Sequence, residues 1–382
     1  MTKKCFVFLA LLFTFVFLIP GSALAFDPQT VPNNKFGLHI LFPTEIEKVA
    51  KIVNTTGGDW GYVTIPIEAN DKDLQKWQKF MDDAKRLHLI PIIRLATNGD
   101  YFNTAVWDKP SDADIVDFAN FLNSLDWPTK NRYVVIYNEV NRNDEWDGNA
   151  NPQEYASILS YAVTVFKSKS SDFFILSAGL DNAASNSKDG FNEYTFLSAM
   201  NTATPGIFNQ IDGITSHAYP NPGFSCPPNV VSSESIYSFK SEEQLVDSLS
   251  NRKLPTFITE TGWSSDKIPD SLIAQYFKTA FDSAWNNPRI VAVTPFLLEA
   301  GSAPFNQFSF EDQSGNPNLR CQAVTNYPKT KGAPILNETS NVLGIEQPEI
   351  TEPIKNFKSE TTNDSGVRMV VFKSVLKWFL RL

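Results

Sequence analysis

The stretches Tyr133-Val134-Val135-Ile136-Tyr137-Asn138-Glu139 and Thr256-Phe257-Ile258-Thr259-Glu260 share one plan: a short apolar, β-rich run that ends on a glutamate. Six more runs of this kind lie along the chain, at Lys35 to Leu41, Gly61 to Ile67, Ile90 to Ala96, Phe173 to Gly179, Gly213 to Tyr219 and Ile290 to Leu298. Between them fall amphipathic stretches with helical spacing, among them Leu74 to Leu87, Asp112 to Leu125, Pro152 to Ser168 and Ser271 to Trp285. Strands that alternate with helices build a parallel sheet, and eight such units predict a closed (β/α)8 TIM barrel of the α/β class. Such barrels carry their active sites at the C-terminal ends of the strands. Glu139 would close the fourth strand there, and Glu260 the seventh.

Two facing carboxyls are the equipment of glycosidic bond hydrolysis; about 5 Å apart, one attacks the anomeric carbon while the other protonates the leaving oxygen. Residues two apart on a strand face the same way. On the seventh strand Ile258 and Glu260 would share the inward face. On the fourth, if Ile136 points inward then so does Asn138, and Glu139 reaches the barrel mouth only if the strand ends and the chain turns. His217 and Tyr219, in Ser216-His217-Ala218-Tyr219-Pro220, would face the same way on the sixth strand. Arg94, in Ile92-Ile93-Arg94-Leu95, would place a cation in an apolar interior, where it needs a carboxylate.

Taken together these residues resemble the retaining glycoside hydrolases of clan A, which include the cellulase-like family 5 and the xylosidase-like family 39. The resemblance covers the barrel from about Asn34 to Ala300, and its strongest motifs are Asn138-Glu139 and Glu260 at the two strand ends. It implies Glu139 as general acid/base, Glu260 as nucleophile and Asn138 as the residue that holds the sugar 2-hydroxyl. It further implies Arg94 and Tyr219 as partners that orient Glu260 and keep it ionised, and His217 as a neighbour of the reacting sugar. Phe296-Leu297-Leu298-Glu299 stands where the clan commonly has a tryptophan platform. Each residue alone has a plainer reading: Glu260 as a helix cap, His217 as a core histidine, Arg94 as a structural ion pair.

Sugar rings stack their C–H faces on aromatic side chains. Trp146 and Trp263, which follow the two glutamate-bearing strands, are the leading candidate platforms, with Tyr101, Trp107, Phe224 and Phe305 behind them. Glu299, Glu68 and His39 are further candidates for substrate contact, with a solvated rim carboxylate as the alternative for the two glutamates. His39, His88 and His217 lie far apart in sequence with no ligand-spaced neighbours, so no metal and no cofactor is expected.

The amino terminus reads as a secretory signal peptide, residues 1–25: basic Lys3 and Lys4, an apolar run from Cys5 to Ile19, and Ala23-Leu24-Ala25 before the cleavage point. A secreted, extracytoplasmic protein is therefore expected. Removal of Lys3 and Lys4 takes the net charge from −9 to −11, an acidic balance that argues against nucleic acid as a partner. Cys226 and Cys321 would then be the remaining cysteines, and they either pair in the oxidising exterior or stay as free thiols. The expected organisation is a catalytic domain over residues 26–340, with an extended loop over the barrel top from Ala300 to about Ala333. A linker at 341–366 and a basic amphipathic helical tail at 367–382 follow. Lys373, Lys377 and Arg381 in that tail offer weak contact with an anionic membrane surface, the alternative being a helix docked on the barrel. Asn54, Asn337 and Asn363 fit the glycosylation acceptor pattern.

The sequence thus predicts a secreted, monomeric retaining glycosidase acting on a β-linked oligo- or polysaccharide. The rival readings are a catalytically silent carbohydrate-binding barrel and a transglycosylase with the same glutamate pair.

Overall fold

The computed structural model describes residues 25–99, 104–300 and 305–337; the signal-peptide stretch up to Leu24, Tyr101, Asn363, the linker and the basic tail lie outside them. Eight parallel strands are present: β1 (Gly37–His39), β2 (Gly61–Glu68), β3 (Leu89–Ala96), β4 (Arg132–Val135), β5 (Phe173–Leu176), β6 (Ile214–His217), β7 (Thr256–Glu260) and β8 (Ile290–Val293). Strands β1 to β5 pair in sequence order as one sheet and β6 to β8 as another. The two sheets meet at both edges. Phe36 bridges Val293, whose N–H donates to the Lys35 carbonyl at 2.8 Å, and Leu176 bridges Gly213. This is the TIM-barrel order.

Around the strands lie α1 (Ile46–Val53), α2 (Leu74–Arg86), α3 (Asp112–Ser124), α4 (Pro152–Lys169), α5 (Glu193–Ala203), α6 (Ile207–Gln210), α7 (Ser238–Leu249), α8 (Asp270–Asp282) and α9 (Leu319–Asn326). Their starts are written in side-chain chemistry. Asp73, Asn151 and Asn192 each accept two orphan backbone N–H groups at the heads of α2, α4 and α5, and Ser111 with Asp114 forms a capping box on α3.

Side-chain alternation divides the sheet into two apolar layers. Tyr62, Ile90, Ile92, Tyr133, Val135, Phe174, Leu176 and Phe257 fill the barrel interior, while Val63, Ile93, Val134, Ile136 and Ile258 face the helices. Two expectations are corrected here. Ile136 and Ile258 both point away from the barrel axis, so neither sets an inward register for Asn138 or Glu260. Strands β1, β4, β5, β6 and β8 also stop sooner than their apolar runs, because the chain beyond them bends to build the mouth.

The stretch after Ala300 crosses the top only in part. Phe310 donates to the Leu297 and Leu298 carbonyls at the end of β8, after which α9 packs along α8 and α1 and the chain reaches the base. There Lys329, Gly332 and Ala333 donate to the Thr56, Asp59 and Pro32 carbonyls. The amino-terminal segment lies beside it, with the Phe26 carbonyl held by the Asn131 side chain at 2.7 Å. No helix among the described residues is long and apolar enough to cross a membrane.

At the β5/β6 seam the buried Asp212 carboxylate accepts the Ile175 N–H at 2.8 Å and pairs with the Lys167 ammonium at 2.8 Å. Both charged groups are buried. Asp212→Ala strands the Lys167 charge and should destabilise the fold by about 3–5 kcal/mol, read from urea unfolding midpoints; a loss below about 1 kcal/mol would show the seam to be held by packing alone.

Candidate active site

A cavity of roughly 340 Å³ opens at the C-terminal ends of the strands, and both glutamates line it. Each reaches it through a local irregularity. The β4 ladder ends at Val135, and both Tyr137 (φ 68°) and Glu139 (φ 36°) take the left-handed conformation. For residues with a Cβ that conformation costs on the order of 1–3 kcal/mol each. The turn closes as Arg142 N–H donates to the Glu139 carbonyl at 2.8 Å, and it brings Asn138 and Glu139 together over the mouth. On β7, Ser216 pairs with Ile258 but His217 pairs with Glu260, so Thr259 is an extra residue in the ladder. That bulge turns Glu260 inward although Ile258 faces the helices.

Arg94 is the third inward residue of β3, above Ile90 and Ile92, and is 8% exposed. Its Nη1 donates to Glu260 Oε1 at 2.7 Å and also to Asn138 Oδ1. Tyr219 donates its hydroxyl to the other Glu260 oxygen at 3.0 Å. Burial and the Glu260 carboxylate push the Tyr219 hydroxyl well above its ordinary range, so it stays a donor.

His217 Nδ1 lies 3.0 Å from Glu139 Oε1 and 3.8 Å from Glu260 Oε2. Burial by itself lowers a histidine pKa. Here the carboxylates of Glu260 and Glu139 outweigh it and raise His217 above 6.5. The opposite holds for His39, whose Nε2 is 3.7 Å from Glu260 Oε1: burial, Arg94 and His217 drive it well below 6.5, so its ring is neutral. Gly179 makes room for the His217 ring, since a Cβ there would fall on the imidazole. Its carbonyl also accepts the Glu139 N–H at 2.9 Å.

Donor atoms of Glu139, His217 and Glu260 all lie within 4.8 Å of one another. Three-dimensional structure therefore groups His217 with carboxylates that are remote in sequence. Each carboxylate also has protein partners, Glu260 in Arg94 and Tyr219, Glu139 in His217 and Arg142. The arrangement is that of a hydrogen-bonded carboxyl pair.

Of the other candidates, Trp107, Trp146, Phe224 and Phe305 line the cavity. Trp263 does not. It is 0% exposed, packs edge-on against Phe277 of α8 at 5.1 Å and donates its indole N–H to the Cys226 carbonyl, which makes it a core residue. Trp146 is mostly buried as well, set edge-on against Tyr137 and Tyr155. Glu299 pairs with Lys48 on the rim, and neither Glu299 nor Glu68 lines the cavity. Cys226 and Cys321 are both free thiols, Cys321 sitting in α9 with its sulfur beside Thr325. Sequence reasoning missed Phe296 and Phe308, which extend an aromatic wall with Phe224 and Phe305, and it missed Arg142, Asp144 and Asp181 on the opposite wall. The signal for Arg142 was its place three residues after Glu139.

No protein-family model matches this sequence, and no curated protein does. Solved structures match by shape. A family 39 glycoside hydrolase from Bacteroides cellulosilyticus WH2 superposes with a TM-score of 0.54 at 14% identity, over 79% of this chain and 65% of that protein. A GH39 β-xylosidase from Caulobacter crescentus gives 0.52 at 15% identity, over 77% and 71%. A GH5_18 protein from Bifidobacterium longum subsp. infantis gives 0.53 at 11% identity, over 78% and 81%. At these identities the likeness is one of fold: this chain shares a TIM barrel with these glycoside hydrolases.

Raising of the His217 pKa has a sign that can be checked. With the folded value above the unfolded value of about 6.5, protonated His217 adds stability that is full below about pH 6.5 and fades as pH rises through the folded value. In an NMR titration of the imidazoles, His217 should turn over above pH 6.5, and Glu139→Gln should lower that midpoint by about one unit. An unchanged midpoint would mean that Glu139 does not charge-pair with this ring.

Proposed function

We propose that this protein is a secreted glycoside hydrolase that cleaves a β-linked glycan with retention of configuration, using Glu260 as nucleophile and Glu139 as general acid/base. One observation carries the reading: an oxygen of Glu139 and an oxygen of Glu260 lie within 4.8 Å of each other, at the ends of β4 and β7 in the mouth of the barrel. Carboxyls about 5 Å apart suit double displacement, whereas inverting pairs stand roughly 6.5–9.5 Å apart to admit a water.

In the first step a Glu260 oxygen bonds to the anomeric carbon as the glycosidic C–O bond breaks, and Glu139 gives its proton to the departing oxygen. In the second, Glu139 takes a proton from water, whose oxygen displaces Glu260 from the sugar. Arg94 supports the first step by aiming Glu260, with Tyr219 on its second oxygen. Asn138, fixed by the same guanidinium, presents its amide where a sugar 2-hydroxyl would lie. Phe296, Phe305 and Phe308 offer faces for the C–H surface of a ring. These side chains need no cofactor for the reaction.

The test is hydrolysis of a panel of aryl β-glycosides and β-glucan polymers by the mature chain, beside Glu260→Ala with and without azide. Turnover by the parent, loss of at least about 10³-fold in the variant, and rescue to an α-glycosyl azide would establish the mechanism and the nucleophile. A rescued β-azide would make Glu260 the acid/base and Glu139 the nucleophile, a parent product of inverted anomeric configuration would identify an inverting enzyme, and binding of glycans without turnover a lectin-like barrel. Turnover should rise and then fall with pH, because it needs one carboxyl ionised and the other protonated; a flat profile through the acid range contradicts the pair.

A further inference from the structure

We propose that Arg142 is the positioning residue for Glu139, a guanidinium tethered by Asp144 that aims the Glu139 carboxylate and sets the pH at which that carboxyl releases its proton. This rests on the reading of Glu139 as acid/base and adds to it a residue outside the glutamate motifs.

The geometry begins with the turn. Arg142 N–H closes onto the Glu139 carbonyl, which folds the arginine side chain back over the glutamate. Nε and Nη2 then dock on both oxygens of Asp144 at 3.0 and 2.8 Å, the two-pronged fit that guanidinium and carboxylate planes favour. That docking leaves Nη1 aimed at Glu139 Oε2, 3.4 Å away, and at Asp181 Oδ2, 3.6 Å away. Asp181 is itself fixed, its N–H donating to Asn141 Oδ1 at 3.0 Å.

The charges facing Glu139 come from every side of the mouth. Arg94 lies on β3, His217 and Tyr219 on and after β6, Glu260 on β7, Asp181 after β5, and Asp144 and Glu145 in Arg142's own loop. Burial pushes Glu145 up to about 8 in spite of Arg142, so it is uncharged at neutral pH. The carboxyls of Asp144 and Asp181 share this wall with Arg142, Asp181 pushed upward by burial and by Glu139. Without the guanidinium their fields would fall on Glu139 unopposed, and protonated Glu139 would persist to higher pH. Oε1 of Glu139 is held by His217 from β6, so Arg142 supplies the second anchor that a two-oxygen group needs to keep one orientation through both proton transfers.

A positioning role of this kind moves a titration, and it does so with opposite signs in two variants. The full chain labelled with [δ-13C]glutamate would be titrated by NMR, with the Glu139 signal identified by its loss in Glu139→Gln. Relative to the parent, Arg142→Met should raise the Glu139 midpoint by about one pH unit, the low end for a cation beside a carboxylate because the arginine side chain is partly exposed. Arg142→Lys should restore most of it. Asp144→Asn, which removes an anion from the wall beside Glu139, should lower the midpoint. In active enzyme the alkaline limb of kcat/KM should shift the same way. Coincident midpoints in parent and Arg142→Met would overturn the proposal; should Arg142→Met fail to fold, Arg142→Gln takes its place with the same expected rise. A parent that hydrolyses nothing would refute the glycosidase reading alone, since the carbon titration still judges Arg142.

Discussion

Arg94 is the constraint around which the mouth of this barrel is arranged. A guanidinium at 8% exposure cannot be left without an anion, and one of its nitrogens reaches Glu260 from β7 and Asn138 from the end of β4. The neighbouring strands β3 and β4 are thereby tied at their C-terminal ends to β7 of the other sheet. The same positive charge opposes the repulsion between two carboxyls held within 4.8 Å of each other. Tyr219, His217 and Arg142 complete the compensation, each on a separate carboxylate oxygen or shared between the two glutamates.

Regular strands alone would not have delivered this arrangement. The ladder positions of β4 and β7 send their alternate residues to fixed faces, and on those faces Ile136 and Ile258 belong to the helix layer. Left-handed conformations at Tyr137 and Glu139, and the extra residue at Thr259, break the alternation where the glutamates need to turn inward. Strain of this sort is retained only where the surroundings over-determine it. Here the Gly179 carbonyl holds the Glu139 N–H, and the Arg142 N–H closes the turn.

This division also explains what could be read from sequence. Eight apolar runs and their helical spacers are properties of local composition, and they translated directly into the strand order. The convergence of Arg94, Asn138, Glu139, His217, Tyr219 and Glu260 followed from strand ends meeting at one rim. How Glu139 and Glu260 would face relative to Ile136 and Ile258 depended on a turn and a bulge that carry no residue signature of their own. Trp263 was placed by its neighbour Glu260 in the chain, whereas its position is set by the apolar gap between β7 and α8, which a large indole fills. Helices α5, α7 and α9 were missed because their apolar faces are interrupted by buried polar residues, among them Glu193, Glu242 and Arg320. Phe296 stood in the sequence where a tryptophan was sought, and its place in the cavity wall was passed over for want of an indole.

The two ends of the described chain offer a practical lesson. Phe26 is held by Asn131, and residues 329–333 hydrogen-bond to Thr56, Asp59 and Pro32, all at the foot of the strands. The cavity with Glu139 and Glu260 opens at the other pole. A bead, surface or carrier protein joined at Asn337 itself would therefore grip the molecule by its underside, leaving the mouth turned toward the medium.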